Sequence, residues 1–293
     1  MKKFISSCFV IAVILFLCFF MTQRYHVLDT FSRLSLKLEG SKSKENREEF
    51  VNKVRDTLKV GDATLVMNYY GKDDELETFV TSAVEDAFLL DDIETTDDFD
   101  YLKYKYKGMH VDMRGFGSSY KVTYEFSYLE SNEQTKVVNE QVKEIIKLLD
   151  LEYKTEYEKI KLIHDYIITN SVYDISTNQN TAYDCLIERT SACQGYAALT
   201  YKMMEEAGIP CRIISGSGLK EPHAWNIVKL EGLWYNIDCT WDDPVGAVEQ
   251  NYIGYDYFLK SNADFKDHTR DLEYNTDEFN QEHVMSGVSY GKE

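Results

Sequence analysis

Two neighbouring stretches, residues 190–208 and 221–241, most restrict what this chain can fold into. In the first, Thr190-Ser191-Ala192-Cys193 precedes Tyr196, Leu199, Met203 and Ala207, which recur at helical spacing. Thr190 or Ser191 is placed to cap that helix, and Gly208 with Pro210 ends it. Cys193 then falls in the first turn, at the positive end of the helix dipole, where a thiolate is favoured. In the second stretch, two strand-like runs, Glu221–Leu230 and Leu233–Trp241, flank Glu231-Gly232, the pattern of a β-hairpin with a two-residue turn. Such a turn sets Leu230 opposite Leu233, Trp225 opposite Asp238 and His223 opposite Thr240. His223 and Asp238 then share one face as diagonal neighbours, about 7–8 Å apart at the backbone.

A single cysteine is usually a small core residue, and a single strand histidine is usually structural. Together, in helix-then-hairpin order, Cys193, His223 and Asp238 are the parts of a thiol nucleophile system. The imidazole takes or shares the thiol proton, and the carboxylate fixes its tautomer and orientation.

Cys193-Gln194-Gly195-Tyr196-Ala197, His223-Ala224-Trp225-Asn226 and Trp234-Tyr235-Asn236-Ile237-Asp238 resemble the three core motifs of the transglutaminase-like superfamily, most of all its small bacterial members. Ile163-His164-Asp165-Tyr166-Ile167, Tyr173-Asp174, Asp238–Pro244 and Tyr257-Phe258-Leu259 resemble further segments of those members. The likeness covers residues 155–260. It implies a papain-like α+β core, a nucleophile helix packed on an antiparallel sheet, with Cys193 as nucleophile, His223 as general base and Asp238 as its orienting partner. Some animal members need calcium, but nothing in this chain matches a calcium loop.

The chain has 293 residues, 44% of them hydrophobic and only three of them proline, enough for a large core without long extended linkers. After Lys2-Lys3, Phe4–Met21 is an apolar run about 27 Å long as a helix, near the thickness of a bilayer core. Phe19-Phe20-Met21-Thr22-Gln23 offers no small-residue cleavage site, which favours an uncleaved signal anchor over a cleaved signal peptide. Either way the remainder is expected outside the cytoplasmic membrane: single-pass and extracytoplasmic, or secreted. A net charge of −18 sets the chain against nucleic acid as a partner. The acidic run Asp91–Asp100 lacks a D-x-D-x-D-G loop and reads as a solvated loop. Cys185, Cys211 and Cys239 read as buried free thiols, with room for one disulfide at most if Cys193 stays free. Zinc is disfavoured, because C-x-x-C and H-E-x-x-H are both absent and hairpin parity turns Cys239 away from His223. No metal and no cofactor is expected.

The organisation expected is an anchor or signal peptide over 1–21, a connector over 22–42, a smaller α+β domain over 43–150, the catalytic domain over 151–260 and a C-terminal extension over 261–293. In the first half, helices are expected at Glu45–Lys59 and Glu75–Leu90. Strands are expected at Ala63–Tyr69, Tyr101–His110 and Tyr120–Leu129, and a helix from Ser131 to Leu149. Tyr101, Tyr104 and Tyr106 could form a binding face, but a strand with one packed and one wet face explains them more simply. Helix 155–170 carries His164 as a core residue rather than a base. Tyr252–Leu259 is expected to be a closing strand, and His268 and His283 to lie on the surface. For the oxyanion, the Cys193 N–H is a natural donor, with Tyr183 and Gln194 as candidates for a second. Trp225 and Trp234 are placed to wall a cleft, although strand aromatics are more often core. The activity that follows is acyl transfer on protein or peptide amides through a thioester. A cysteine peptidase or amidase is the close alternative, and a non-catalytic surface module is the rival from another class.

Overall fold

The computed structural model describes residues 47–92, 94–243 and 253–291. The expected anchor and connector lie outside these residues. Among the described residues, no helix is long and apolar enough to cross a membrane.

Helix α1 (47–60) buries Phe50, Val54 and Leu58, the expected stripe. Strand β1 (Thr64–Tyr70), helix α2 (Leu76–Ala87) and helix α3 (Phe99–Lys105) follow, then strands β2 (Tyr106–Phe116) and β3 (Ser119–Tyr128). The strands form an antiparallel sheet in the order β1-β3-β2. Val122, Tyr124 and Phe126 alternate onto its buried face, against α1 and α2.

Two expectations fail here for one tertiary reason. Tyr-Lys alternation reads as a strand from Tyr101, yet Tyr101 and Tyr104 sit on α3 and the strand begins at Tyr106. Asp100, Tyr101, Leu102 and Lys105 are all buried, a helical pattern, because α3 is wedged between two apolar clusters: Tyr101 joins one and Leu102 the other. The acidic run is likewise not solvated throughout: Asp91 and Glu94 are exposed, but its second half is not. Asp98 and Asp100 are buried, Asp97 pairs with buried Lys202, and Asp100 grips Arg212 with two bonds of 2.8 and 3.1 Å. Asp97 and Asp100 answer cations of the second half of the chain, and Asp98 pairs with Lys59 at 3.5 Å, since buried charges need partners.

Helices α4 (Asn132–Leu148) and α5 (Glu156–Asn170) open on reciprocal capping boxes, Ser131 with Gln134 and Thr155 with Glu158. Short strands β4 (Val172–Tyr173) and β5 (Thr190–Ser191) pair in parallel and lead into helix α6 (Cys193–Glu206). Strands β6 (Cys211–Gly218), β7 (Glu221–Leu230) and β8 (Leu233–Ile237) and the helical turn α7 (Cys239–Asp242) come next. Strand β9 (His268–Arg270) and helix α8 (Asp277–Glu282) complete the described chain. The second sheet is antiparallel in the order β8-β7-β6-β9. Tyr196, Leu199 and Met203 of α6 share a cluster with Ile213, Val228 and Ile237 of this sheet. The α+β class and the helix-on-sheet core are as expected.

The C-terminal part is a correction. Residues 253–259 form no strand; only Lys260 bridges to Asn236. The added strand is β9, on the far edge beside β6. His283 is buried, stacked on Phe279 at 4.1 Å. The polar composition of 261–291 conceals Phe265, Tyr274 and Phe279, which pack with Trp225 and Trp234 beneath the sheet.

Candidate active site

Ala192, rather than Thr190 or Ser191, is the residue before α6, and no side chain caps it. Thr190 and Ser191 are used in β5, where Ser191 Oγ donates to the Gln179 carbonyl at 3.2 Å. Cys193 is therefore the first helical residue. It is half-buried at a helix mouth whose leading N–H groups have no intrahelical acceptor.

The hairpin turn is Glu231-Gly232, with φ of 52° and 85°, the two left-handed positions a type I′ turn requires. The ladder keeps the expected register from Leu230 opposite Leu233 to Asn226 opposite Ile237, and stops there. Beyond Ile237 the chain coils into α7, so Thr240 does not face His223 across a ladder. Asp238 instead caps α7: its Oδ1 accepts the Thr240 and Trp241 N–H groups at 2.9 and 3.2 Å. That leaves Oδ2 to accept His223 Nε2–H at 2.7 Å. A carboxylate only accepts, so the hydrogen belongs to Nε2. Nδ1 remains for Cys193, whose thiol is in hydrogen-bond contact with the ring. The three sequence-predicted residues are thus brought together. Gly218 permits this closeness, since a Cβ there would lie 2.6 Å from Trp241 Cζ2 and 3.1 Å from His223 Cδ2.

Burial works against charge on His223, but the bonds and charges of Asp238 and Cys193 outweigh it and push the imidazole up to about 9. Burial also works against the Asp238 carboxylate, and the two imidazoles that bond it, His223 and His268, bring it down to about 2. His268 is a correction. Expected on the surface, its side chain is only 1% exposed and its Nε2 donates to Asp238 Oδ2 at 3.0 Å.

The remaining predicted residues hold other positions. Gln194 points its amide at the Tyr104 carbonyl at 3.3 Å. Trp225 lies buried with its one N–H donated to Asn236 Oδ1, so it has none to offer an oxyanion. Tyr183 is half-buried, with its backbone N–H on Glu130 Oε2 at 3.0 Å. Trp234 packs on His283 with ring centres 4.8 Å apart. His164 is the core residue expected: fully buried, it bridges Asp165 and Asp242, each at 3.1 Å. Asp242 in turn holds the Tyr257 N–H at 2.9 Å, and the Tyr257 carbonyl accepts the Asp238 N–H at 3.2 Å. His164 therefore braces the turn that carries Asp238.

Sequence reasoning missed Tyr104 and Tyr173, whose hydroxyls lie in the electrostatic field of Cys193, and Trp241, whose ring centre is 5.1 Å from that of His223. Tyr173, Leu219, Thr240, Trp241, Asp243 and Tyr257 line an open cleft of about 420 Å³ beside the triad. Motif likeness flagged Tyr173 and Trp241 as parts of longer segments, without a role. Tyr104 stood out only as one of three tyrosines that could form a binding face on a strand, and the structure places it on α3 instead.

His223, Asp238 and His268 also bring three ligand-type atoms within 4.8 Å of one another. Here two N–H donors converge on one acceptor oxygen, and the other oxygen is held by backbone N–H groups. The donor set is that of a hydrogen-bonded cluster.

Cys185, Cys211 and Cys239 are free and buried, and burial pushes each thiol up, Cys185 to about 12. Of the four described cysteines, limiting iodoacetamide at neutral pH is expected to label Cys193 about a hundredfold faster than the others, since only it has a base in contact. Peptide mapping of the modified sites checks this; comparable rates at all four would contradict it.

Residues 144–239 match the model of the transglutaminase-like superfamily. The chain is 32% identical to human kyphoscoliosis peptidase over 117 residues, covering 33% of this chain and 18% of that protein. It is 28% identical to the mouse protein over 135 residues, covering 40% and 20%. The chain thus spans about a fifth of the length of these relatives. Among solved structures, it is similar to the crystal structure of a TGase, with 12% identity, TM-score 0.36, and 51% of this chain and 48% of that one covered. It is similar also to the periplasmic domain of TgpA from Pseudomonas aeruginosa, with 15% identity, TM-score 0.30, and 43% and 57% covered.

Proposed function

We propose, from the match of residues 144–239 to the transglutaminase-like superfamily, that the protein is a cysteine enzyme performing acyl transfer on protein or peptide amides. The observation that carries this reading is the contact chain Cys193–His223–Asp238 at a helix mouth, beside an open cleft. A substrate amide carbonyl entering the cleft is attacked by the Cys193 sulfur, whose proton His223 Nδ1 has taken to form the imidazolium. Asp238 holds the ring so that Nδ1, not Nε2, receives it. The first-turn N–H groups of α6 face the charge that develops on the carbonyl oxygen. Collapse of the tetrahedral intermediate breaks the C–N bond, the imidazolium protonates the leaving amine, and a thioester remains. An incoming amine or water then attacks it while His223 takes its proton; the C–S bond breaks, and the proton returns to the released Cys193 sulfur.

Hydrolysis is the second reading. It is favoured by the openness of the cleft, which admits water, and by the peptidase named among the relatives. The proposal extends to place and organisation. Phe4–Met21 would tether the protein to the membrane with residues 43–150 and the catalytic domain 151–260 outside, or be removed on secretion.

Incubating the protein with a glutamine-containing peptide and a primary amine, followed by mass spectrometry, separates these reactions. Covalent addition of the amine is the expected result, and conversion of amide to acid or cleavage of the peptide would assign hydrolysis. Each should vanish in Cys193→Ala. An unchanged peptide together with a slow Cys193 would leave a non-catalytic module.

A further inference from the structure

We propose that His268 is a positioning residue of the site, a second imidazole that shares Asp238 and fixes its Oδ2 in line with His223. The inference rests on the enzymatic reading above.

The geometry is specific. His268 lies on β9, the edge strand, and its ring is enclosed by Phe265, Trp241 and Trp225 at centre-to-centre distances of 3.8, 4.3 and 4.9 Å, with His223 at 5.2 Å. Its Nδ1 is buried and has no hydrogen-bond partner among the described residues. The bond from Nε2 to Asp238 is thus the polar anchor of an otherwise apolar enclosure. A ring that merely filled this space would gain nothing from two nitrogens, one of them buried without a partner. What the imidazole adds is an N–H aimed at one oxygen.

That oxygen matters. Two backbone N–H groups fix Oδ1, and His223 and His268 together fix Oδ2, so the carboxylate cannot rotate away from His223. His268 also draws on the same negative charge that supports the His223 imidazolium. Without its N–H, the charge acts on His223 alone. The ionisable groups facing this pair are Cys193 on α6, Asp238 at the start of α7 and His268 on β9. Tyr173 on β4 and Tyr257, itself bonded to Asp267 at 3.3 Å, lie in the field of Asp238.

Alkylation of Cys193 by iodoacetate, followed across pH, tests the proposal. The anionic reagent is drawn by the neighbouring imidazolium, so the rate should fall on the alkaline side as His223 loses its proton, through about 9 in the wild type. His268→Phe fills the aromatic enclosure without the donor, and His268→Gln restores an N–H without the ring. His268→Phe is expected to lower the plateau about tenfold and to move the alkaline limb to higher pH. His268→Gln is expected to bring the limb back. A limb that stays put in both variants, whatever happens to thermal stability, makes His268 a packing residue and overturns the proposal. A wild-type Cys193 no faster than Cys211 overturns the enzymatic reading itself, and this proposal with it.

Discussion

Asp238→Asn is expected to slow thioester formation at Cys193 by about 10⁴-fold while leaving the sulfur in place. The size of the effect follows from what the carboxylate accepts: two backbone N–H groups on Oδ1 and two imidazole N–H groups on Oδ2. An amide has one acceptor oxygen and one donor nitrogen. If the oxygen stays with Thr240 and Trp241, the amide N–H₂ confronts both histidines donor to donor. His223 can then satisfy it only by shifting its own hydrogen to Nδ1, which aims an N–H at Cys193 where a lone pair is needed. If the amide flips, the same conflict moves to the backbone and α7 loses its cap. In the orientation that keeps the cap, the base is lost although every chain segment remains; in the flipped one, the support of the carboxylate itself is lost. The measurement is the rate of product formation in the peptide and amine assay, paired with iodoacetamide alkylation at neutral pH. Both should fall together, and a variant within tenfold of wild type would show that Asp238 does not set the tautomer.

How much of this was legible in the sequence differs by residue. The Cys193 helix, the Glu231-Gly232 turn and the Asn226–Leu230 register are local matters, fixed by period, by turn chemistry and by pairing parity. They sufficed to bring His223 to Asp238, although the sequence reading continued the ladder one turn too far. Asp238 as the cap of α7 was not foreseen, because a carboxylate at a strand end can pair, cap or do neither. His268 could not be placed from pattern at all. A three-residue edge strand, His268–Arg270, has no period to detect, and its meaning depends on Asp238, 30 positions away. The acidic run around Asp97 misled for a related reason. Composition there says water, whereas partners more than a hundred residues onward, Lys202 and Arg212, decide its burial. Helix α3 is the same lesson in backbone form, since its Tyr-Lys alternation yields to the two clusters it separates.

Those distant partners make the second large effect one of stability. Asp100→Ala is expected to destabilise the protein by about 3–5 kcal/mol, the usual result of removing one partner of a buried ion pair. Its side chain is 6% exposed, and it accepts Arg212 Nε and Nη2 at 2.8 and 3.1 Å and the Ile213 N–H at 2.8 Å. Removing it strands a guanidinium between Phe99 and His283 and leaves a strand N–H unpaired. The exposed pair between Lys103 of the same helix and Glu273 provides the contrast: Lys103→Ala should change stability by about 0.5 kcal/mol or less. Asp100→Ala with Arg212→Met should recover much of the loss, because no charge then remains buried. Urea midpoints of the four proteins test the set. An Asp100→Ala midpoint equal to that of Lys103→Ala would mean the pair does not join α3 to the core sheet. The consequence reaches the site, since α3 also carries Tyr104, whose carbonyl holds Gln194 next to Cys193. A loosened α3 should therefore slow Cys193 alkylation in conditions where Asp100→Ala is still folded, and the double variant should restore the rate along with the midpoint.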